Sequence, residues 1–166
     1  MSHEVEIGRG KRGRRAYTLD DIALVPARRT RDPEDVNVGW QIDAYHVDLP
    51  LMAAPMDSVM SPETAIAFGR LGGIGVLDLD GLWTRYEDPE PILDQIAHLG
   101  EEESIATLQR VYSEPIKPTL ITERLTQLRE AGVVVAGKLS PQRVQQHWRA
   151  VVDAGVDLFI IRGSTV

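Results

Sequence analysis

The sequence predicts an α/β protein built on parallel strands, and three observations carry that expectation. Short apolar runs with little polar alternation recur at residues 51–55 (LMAAP), 74–79 (IGVLDL), 133–139 (VVVAGKL) and 156–161 (VDLFII), as strands buried on both faces require. Segments with helix start and stop signals lie between the runs. Polar residues follow each run at once, as they do where strands deliver side chains to the carboxyl edge of a sheet. The alternation of strand and helix points to a parallel sheet with right-handed crossovers. Two architectures satisfy it at this level, an open doubly wound sheet and part of a β/α barrel.

Taken in order, the chain opens with a basic run. Five of the seven residues 9–15 are basic (Arg9, Lys11, Arg12, Arg14, Arg15), with Gly10 and Gly13 between them. Such a run reads as a solvated arm, a phosphate or nucleic-acid contact, or a subunit contact. Residues 17–26 (YTLDDIALVP) form a short apolar segment broken by paired aspartates and closed by Pro26, and residues 28–35 form a charged loop containing Pro33. The stretch LPLMAAPMDSVM at residues 49–60 is the most informative. It is a small-residue apolar run that ends abruptly in Asp57 and Ser58. Ser61 then supplies an N-cap, Pro62 the first helical position and Glu63 an acid in the first turn. That helix carries Ala65, Ile66 and Phe68 and stops at Gly72-Gly73.

After the second strand, a proline-flanked segment at 87–91 leads into a helix over 91–99, and residues 101–118 read as a polar stretch. Residues 119–131 are amphipathic, with Leu120, Ile121, Leu125 and Leu128 on one stripe, and Gly132 ends them. Ser140-Pro141 starts a further helix through Val144, Trp148, Val151 and Val152, which Gly155 caps.

Composition bounds the function. The 166 residues carry a net charge of −7, which argues against nucleic-acid binding by the domain as a whole. There is no cysteine, so disulfides, thiolate–zinc sites and a cysteine nucleophile are excluded within these residues. His3, His46, His98 and His147 do not fall at metal-ligand spacing. No apolar run approaches the roughly 20 residues of a membrane span, and a cytoplasmic location is expected. Gly72, Gly73 and Gly75 follow a helix and lead into a strand. A dinucleotide-binding fingerprint needs the reverse order, so helix capping and close helix–strand packing explain them better.

The strand ends name the candidate site residues. They are Met56, Asp57 and Ser58, then Asp78, Asp80 and Gly81, then Lys138 and Ser140, then Arg162, Gly163 and Ser164. Each has a plainer alternative. Ser58 caps a turn, Asp78 and Asp80 are turn formers, Lys138 is a surface charge, and Arg162 pairs with an acid.

Three segments carry a family resemblance: YTLDDIALVPARRTR, LPLMAAPMDSVMSPETAIAFGRLGGIGVL and AGVDLFIIRG. They resemble the opening half of the IMP dehydrogenase/GMP reductase family. The chain looks closest to a bacterial branch related to IMP dehydrogenase that lacks the regulatory CBS domains, since only residues 80–118 occupy the interval where those domains are inserted. The resemblance implies the N-terminal half of a (β/α)8 TIM barrel, with about four strands, at residues 17–166 behind a basic arm at 1–16. It implies a purine nucleotide substrate, IMP or GMP, and NAD-dependent oxidation of IMP to XMP through a cysteine adduct. GMP reductases run a related reaction with NADPH. A monovalent cation such as potassium and a homo-oligomer, a tetramer, go with the intact enzyme.

By the same resemblance, Ala54 and Met56 lie against the nucleotide base, with Asp57 in a positional role and Ser58 beside them. A polarizable thioether suits an aromatic ring. Arg162, with Gly163 and Ser164, stands where family dehydrogenases carry an aspartate for the NAD ribose. An arginine cannot accept from ribose hydroxyls but can contact a phosphate, which leaves room for NADP. The family's cysteine loop and phosphate-binding loops belong to later strands. The expectation is therefore of an N-terminal half, inactive by itself and, with apolar edge strands exposed, prone to self-association.

Overall fold

The computed structural model describes residues 4–6, 8–25 and 32–163. The chain divides into two compact units, residues 1–37 and 38–166. In the first unit, β1 (Glu4–Glu6) pairs antiparallel with β2 (Arg12–Arg14). Glu4 faces Arg14 and Glu6 faces Arg12 across this hairpin, and opposite charges in that register favour the pairing. Residues 12–14 of the basic run form a strand on which Arg12 and Arg14 are exposed. Single 3-10 turns follow at Leu19–Asp21 and Pro33–Asp35. The described residues 17–25 of the apolar segment form no strand, and Leu24 is 99% exposed.

The second unit opens with a hairpin that the sequence did not announce, β3 (Trp40–Ile42) and β4 (Tyr45–Val47). Its tight turn puts Asp43 at a φ of 49°, a left-handed conformation that aspartate tolerates better than most residues. There follow β5 (Met52–Ala53), α1 (Pro62–Arg70), β6 (Ile74–Asp78), α2 (Glu90–Ala97), α3 (Glu101–Val111), α4 (Pro118–Glu130), β7 (Ala136–Leu139), α5 (Pro141–Asp153) and β8 (Leu158–Ile161). The last four strands form one parallel sheet in the order β5-β6-β7-β8. A doubly wound sheet reverses its order at a switch point. Strands that follow chain order, separated by helices, make the arc of a β/α barrel.

Alternation along the strands sorts the core into two faces. Leu77, Leu79, Val135 and Leu139 pack with Ile121, Leu125 and Leu128 of α4 and Val151 of α5. Ile74, Val76 and Ala136 form the opposite face with Leu158 and Ile160, and Val47 of the hairpin closes against them. Tyr45 donates to Asp157 Oδ1 at 2.6 Å while Val135 N donates to Asp157 Oδ2 at 2.8 Å, tying the hairpin to the amino edge of the sheet.

The helix-to-strand junctions share one device. Gly72, Gly132 and Gly155 have φ of 92°, 72° and 71°. At each, the next amide reaches back to the last helical turn: Gly73 N to Phe68 O, Val133 N to Leu128 O, and Val156 N to Val151 O. These are Schellman caps, and they account for the glycines that precede the strands.

The largest departure from expectation is α3, where the sequence reads as polar stretch. Three glutamates fill its first turn, where they complement the positive end of the helix dipole. Ile105, Leu108 and Val111 recur every three residues, but only Val111 is buried. A helix with one buried residue leaves little hydrophobic pattern to detect.

Candidate functional site

The candidate residues collect at the carboxyl edge of the four-stranded sheet. Along residues 52–57 exposure alternates: Met52, Ala54 and Met56 are open, while Ala53, Pro55 and Asp57 are more covered. Met56 is 49% exposed. Its carbonyl accepts from Val59 N at 3.1 Å and from Met60 N at 2.8 Å, so a closed turn holds the backbone behind it. Met60 is buried in the core and anchors that turn. Ser61 Oγ then accepts from Thr64 N at 3.1 Å and caps α1, as its sequence position predicted. Ser58 is exposed on the same turn.

Asp57 points away from the open side. Its Oδ2 accepts from Leu82 N at 2.8 Å and from the Tyr112 hydroxyl at 2.5 Å. Its Oδ1 is buried without a partner, packed against Gly81, where a Cβ would overlap the carboxylate. Burial pushes the Asp57 carboxyl above its usual range, and the bonds from Tyr112 and Leu82 offset part of that rise. Burial, followed by the bond to Asp57, pushes the Tyr112 hydroxyl up as well. The sign of the resulting linkage is definite. The native carboxyl takes up its proton before the unfolded one does. Its ionisation therefore costs the native state stability near neutral pH, and that cost fades as pH falls through the raised value towards the ordinary 3.8. Asp57→Asn removes this dependence. Urea midpoints measured from pH 7 to 4 are expected to show wild type gaining on the variant as pH falls; parallel profiles would contradict the assignment.

Between β6 and β7 lies an ionic cluster. Lys138 Nζ stands 3.1 and 3.3 Å from the two oxygens of Asp78 and 3.1 Å from Asp80 Oδ2. Ser140 N donates to Asp80 Oδ2 at 2.6 Å, and Asp80 N to Asp78 Oδ1 at 3.0 Å. All three charged side chains are less than one-fifth exposed. Burial alone would lower Lys138, but Asp78 and Asp80 overcome it and hold the ammonium above its ordinary value. Burial pushes Asp78 up, against the pull of the Asp80 amide and Lys138. The three short contacts to Nζ settle the sense of the pair: Lys138 is the cation of this cluster and not a free surface charge.

Arg162 and Gly163 follow β8. With Pro55 and Lys138 they line a cleft of about 260 Å³, so the ends of the first and fourth strands of the sheet meet around one opening. Arg162 is exposed, and among the described residues no carboxylate lies within salt-bridge distance of it. Ser164, the third residue of that predicted group, lies outside the described residues. A second cleft, of about 420 Å³, lies beside Asp57, Ser58, Ser61 and Trp83. A third, of about 300 Å³, is at the opposite edge between His46, Asp48 and Arg70, where β/α folds seldom place chemistry. Among the described residues no group of three or more potential ligands is placed to hold a metal, and no helix is long and apolar enough to cross a membrane.

Sequence reasoning missed Tyr112, Arg85 and Arg124. Arg85 donates to Asp80 O through Nε at 3.1 Å and Nη2 at 2.9 Å, and also to Glu114 O. Arg124 donates to Trp83 O at 3.1 Å and Glu87 O at 2.5 Å. Both arginines are buried, and together they clamp the segment that follows β6. Their carbonyl partners have no signature in the sequence.

Residues 16–165 match the model of the IMP dehydrogenase / GMP reductase domain. The chain belongs to that family. An uncharacterized oxidoreductase of Mycolicibacterium smegmatis is 42% identical over 98% of this chain, and one from Mycobacterium leprae is 41% identical over the same share. The inosine-5'-monophosphate dehydrogenase of Methanocaldococcus jannaschii is 41% identical over 39% of the chain. The crystal structure of an IMP dehydrogenase/GMP reductase-like protein from Corynebacterium glutamicum superposes with a TM-score of 0.81 at 41% identity, covering 98% of this chain and 45% of that one. The chain spans about 44% of the length of the two mycobacterial relatives.

Proposed function

We propose that the intact protein is an NAD(P)-dependent oxidoreductase of purine nucleotides, oxidising IMP to XMP. The oxidoreductase names of the relatives support the reaction class. The observation that carries the reading is the shared opening at the carboxyl edge. Pro55, which precedes the half-exposed Met56, lines the same cleft as Arg162. A flat heteroaromatic ring packs well on a thioether, and Ala54, also open, extends that wall without bulk. Asp57 and Ser58 form the turn that holds the wall in place.

For the cofactor, the residues present fit a phosphate better than a ribose diol. An exposed guanidinium with no carboxylate partner among the described residues donates to phosphate oxygens, where an aspartate would accept from hydroxyls. Arg162, with Gly163 beside it and Ser164 next in the chain, would hold the anionic part of a nicotinamide cofactor, and a phosphorylated one in particular. The bound nicotinamide would supply hydride acceptance. None of the 166 residues is a cysteine, so a covalent adduct on cysteine needs residues beyond these.

The test follows absorbance of the reduced cofactor with the intact protein, IMP, and NAD or NADP in turn. Turnover supports the reading, and its absence with both cofactors sinks it. Arg162→Asp is expected to shift the NADP-to-NAD preference in kcat/KM towards NAD by about tenfold or more, since a good charged hydrogen bond to phosphate is replaced by repulsion. Arg162 also favours a second reading, a GMP reductase. Consumption of NADPH with GMP, without IMP oxidation, would select it. Nucleotide binding by calorimetry without turnover in either direction would instead mark a binding paralogue.

A further inference from the structure

We propose that Tyr112 is a positioning residue for the nucleotide wall, acting through Asp57 on Met56. The inference rests on the reading of Met56 as a substrate contact given above. Tyr112 closes α3, the helix farthest in sequence from the predicted site motifs and unremarkable by pattern. Its hydroxyl nevertheless crosses 55 positions of sequence to meet Asp57 Oδ2 at 2.5 Å. The same oxygen accepts from Leu82 N at 2.8 Å. One carboxylate atom therefore joins three separate pieces of chain: the turn after β5, the segment after β6 and the end of α3.

The neighbourhood fits a latch. Gly81 leaves room for the other carboxylate oxygen, and any side chain there would overlap it. Arg85 lies over the Tyr112 ring at 5.6 Å and is itself fixed by Asp80 O and Glu114 O. The ring is thus held at its face and at its hydroxyl, although Tyr112 is 39% exposed. Met56 is adjacent to Asp57 and half-exposed, and it follows Pro55 of the cleft lining. Fixing Asp57 Oδ2 by two hydrogen bonds fixes the backbone that carries Met56. Tyr112 is not among the residues that line the cleft of Pro55, Lys138, Arg162 and Gly163; its link to this turn is the bond to the Asp57 carboxylate.

The experiment compares the intact wild-type protein with Tyr112→Phe and Tyr86→Phe. Tyr86 donates to Val111 O at 3.1 Å, so its loss loosens the same end of α3 without touching Asp57. Two readouts are taken: steady-state kinetics with IMP and the preferred cofactor, and amide hydrogen exchange at Leu82 and residues 56–60. Tyr112→Phe is expected to raise the nucleotide KM about tenfold, to leave kcat and the cofactor KM within about twofold, and to speed exchange at Leu82 and 56–60. Tyr86→Phe is expected to leave the nucleotide KM unchanged. A wild-type KM in Tyr112→Phe, or an equal rise in Tyr86→Phe, overturns the latch. If wild type neither binds nor turns over a purine nucleotide, the functional reading fails separately. Unchanged Leu82 protection in Tyr112→Phe would then overturn the coupling by itself.

Discussion

Replacing Gly75 with alanine is expected to lower the unfolding free energy by about 3 kcal/mol, read as a fall in the urea midpoint at unchanged slope. A Cβ at Gly75 would stand 2.5 Å from Ala65 Cα and 2.7 Å from Ala65 O. These are backbone atoms of α1, so no side-chain rotation relieves the overlap. Nor can the helix retreat freely. Ala65 is buried, the Ser61 cap fixes one end of α1 and the Gly72 junction the other. Gly137 is the internal comparison. A Cβ there would meet Leu79 Cδ1 at 2.6 Å, a side-chain terminus that can turn aside, so Gly137→Ala is expected to cost less. A Gly75→Ala protein within about 0.5 kcal/mol of wild type would show that α1 and β6 are not in this contact.

Lys138→Met is expected to cost about 3 kcal/mol at neutral pH, because it strands two largely buried carboxylates beside one another. Asp78 and Asp80 lose their common cation, and their oxygens are too covered for water to replace it fully. The pH dependence carries the signature. The lysine's contribution is present below its ordinary value of 10.5 and is lost as pH rises through its raised one. Wild type should therefore weaken in strongly alkaline solution while Lys138→Met, already without the pair, should not. Denaturant unfolding from pH 7 upward measures both effects. Equal alkaline slopes in the two proteins would rule out the buried pair.

Where the physics is local, the sequence is a good guide. The Ser61 cap, the Pro62 start and the glycine stops at 72, 132 and 155 are each set by a residue and its neighbours, and all are legible without coordinates. The parallel strands are legible because strands covered on both faces lose polar alternation. Chain-order pairing is not local, and the residues alone left two architectures open until the family resemblance selected the barrel. Helix α3 was missed because its apolar face is largely unburied, and the hairpin before β5 because its strands are three residues long. At the site, Asp57 and Met56 stand out by their place at the end of an apolar run. Tyr112 and the two buried arginines do not, since their partners are 29 to 55 positions away or are backbone carbonyls. Lys138 was visible as a strand-end cation, but its two carboxylates converge on it only once β6 and β7 pair.

The two buried arginines behind the site bear on which substitutions the protein can accept. Arg85 and Arg124 satisfy themselves mainly on main-chain oxygens of residues 80, 83, 87 and 114. A carbonyl is the same acceptor whatever side chain its residue carries. The identities of Glu87 and Glu114 can therefore drift without loosening the segment. Arg85 and Arg124 cannot be exchanged even for lysine, whose single ammonium does not span a forked set of acceptors. Tolerance to mutation in this part of the fold is thus asymmetric: the restrained segment is free to vary, and the restraint is not.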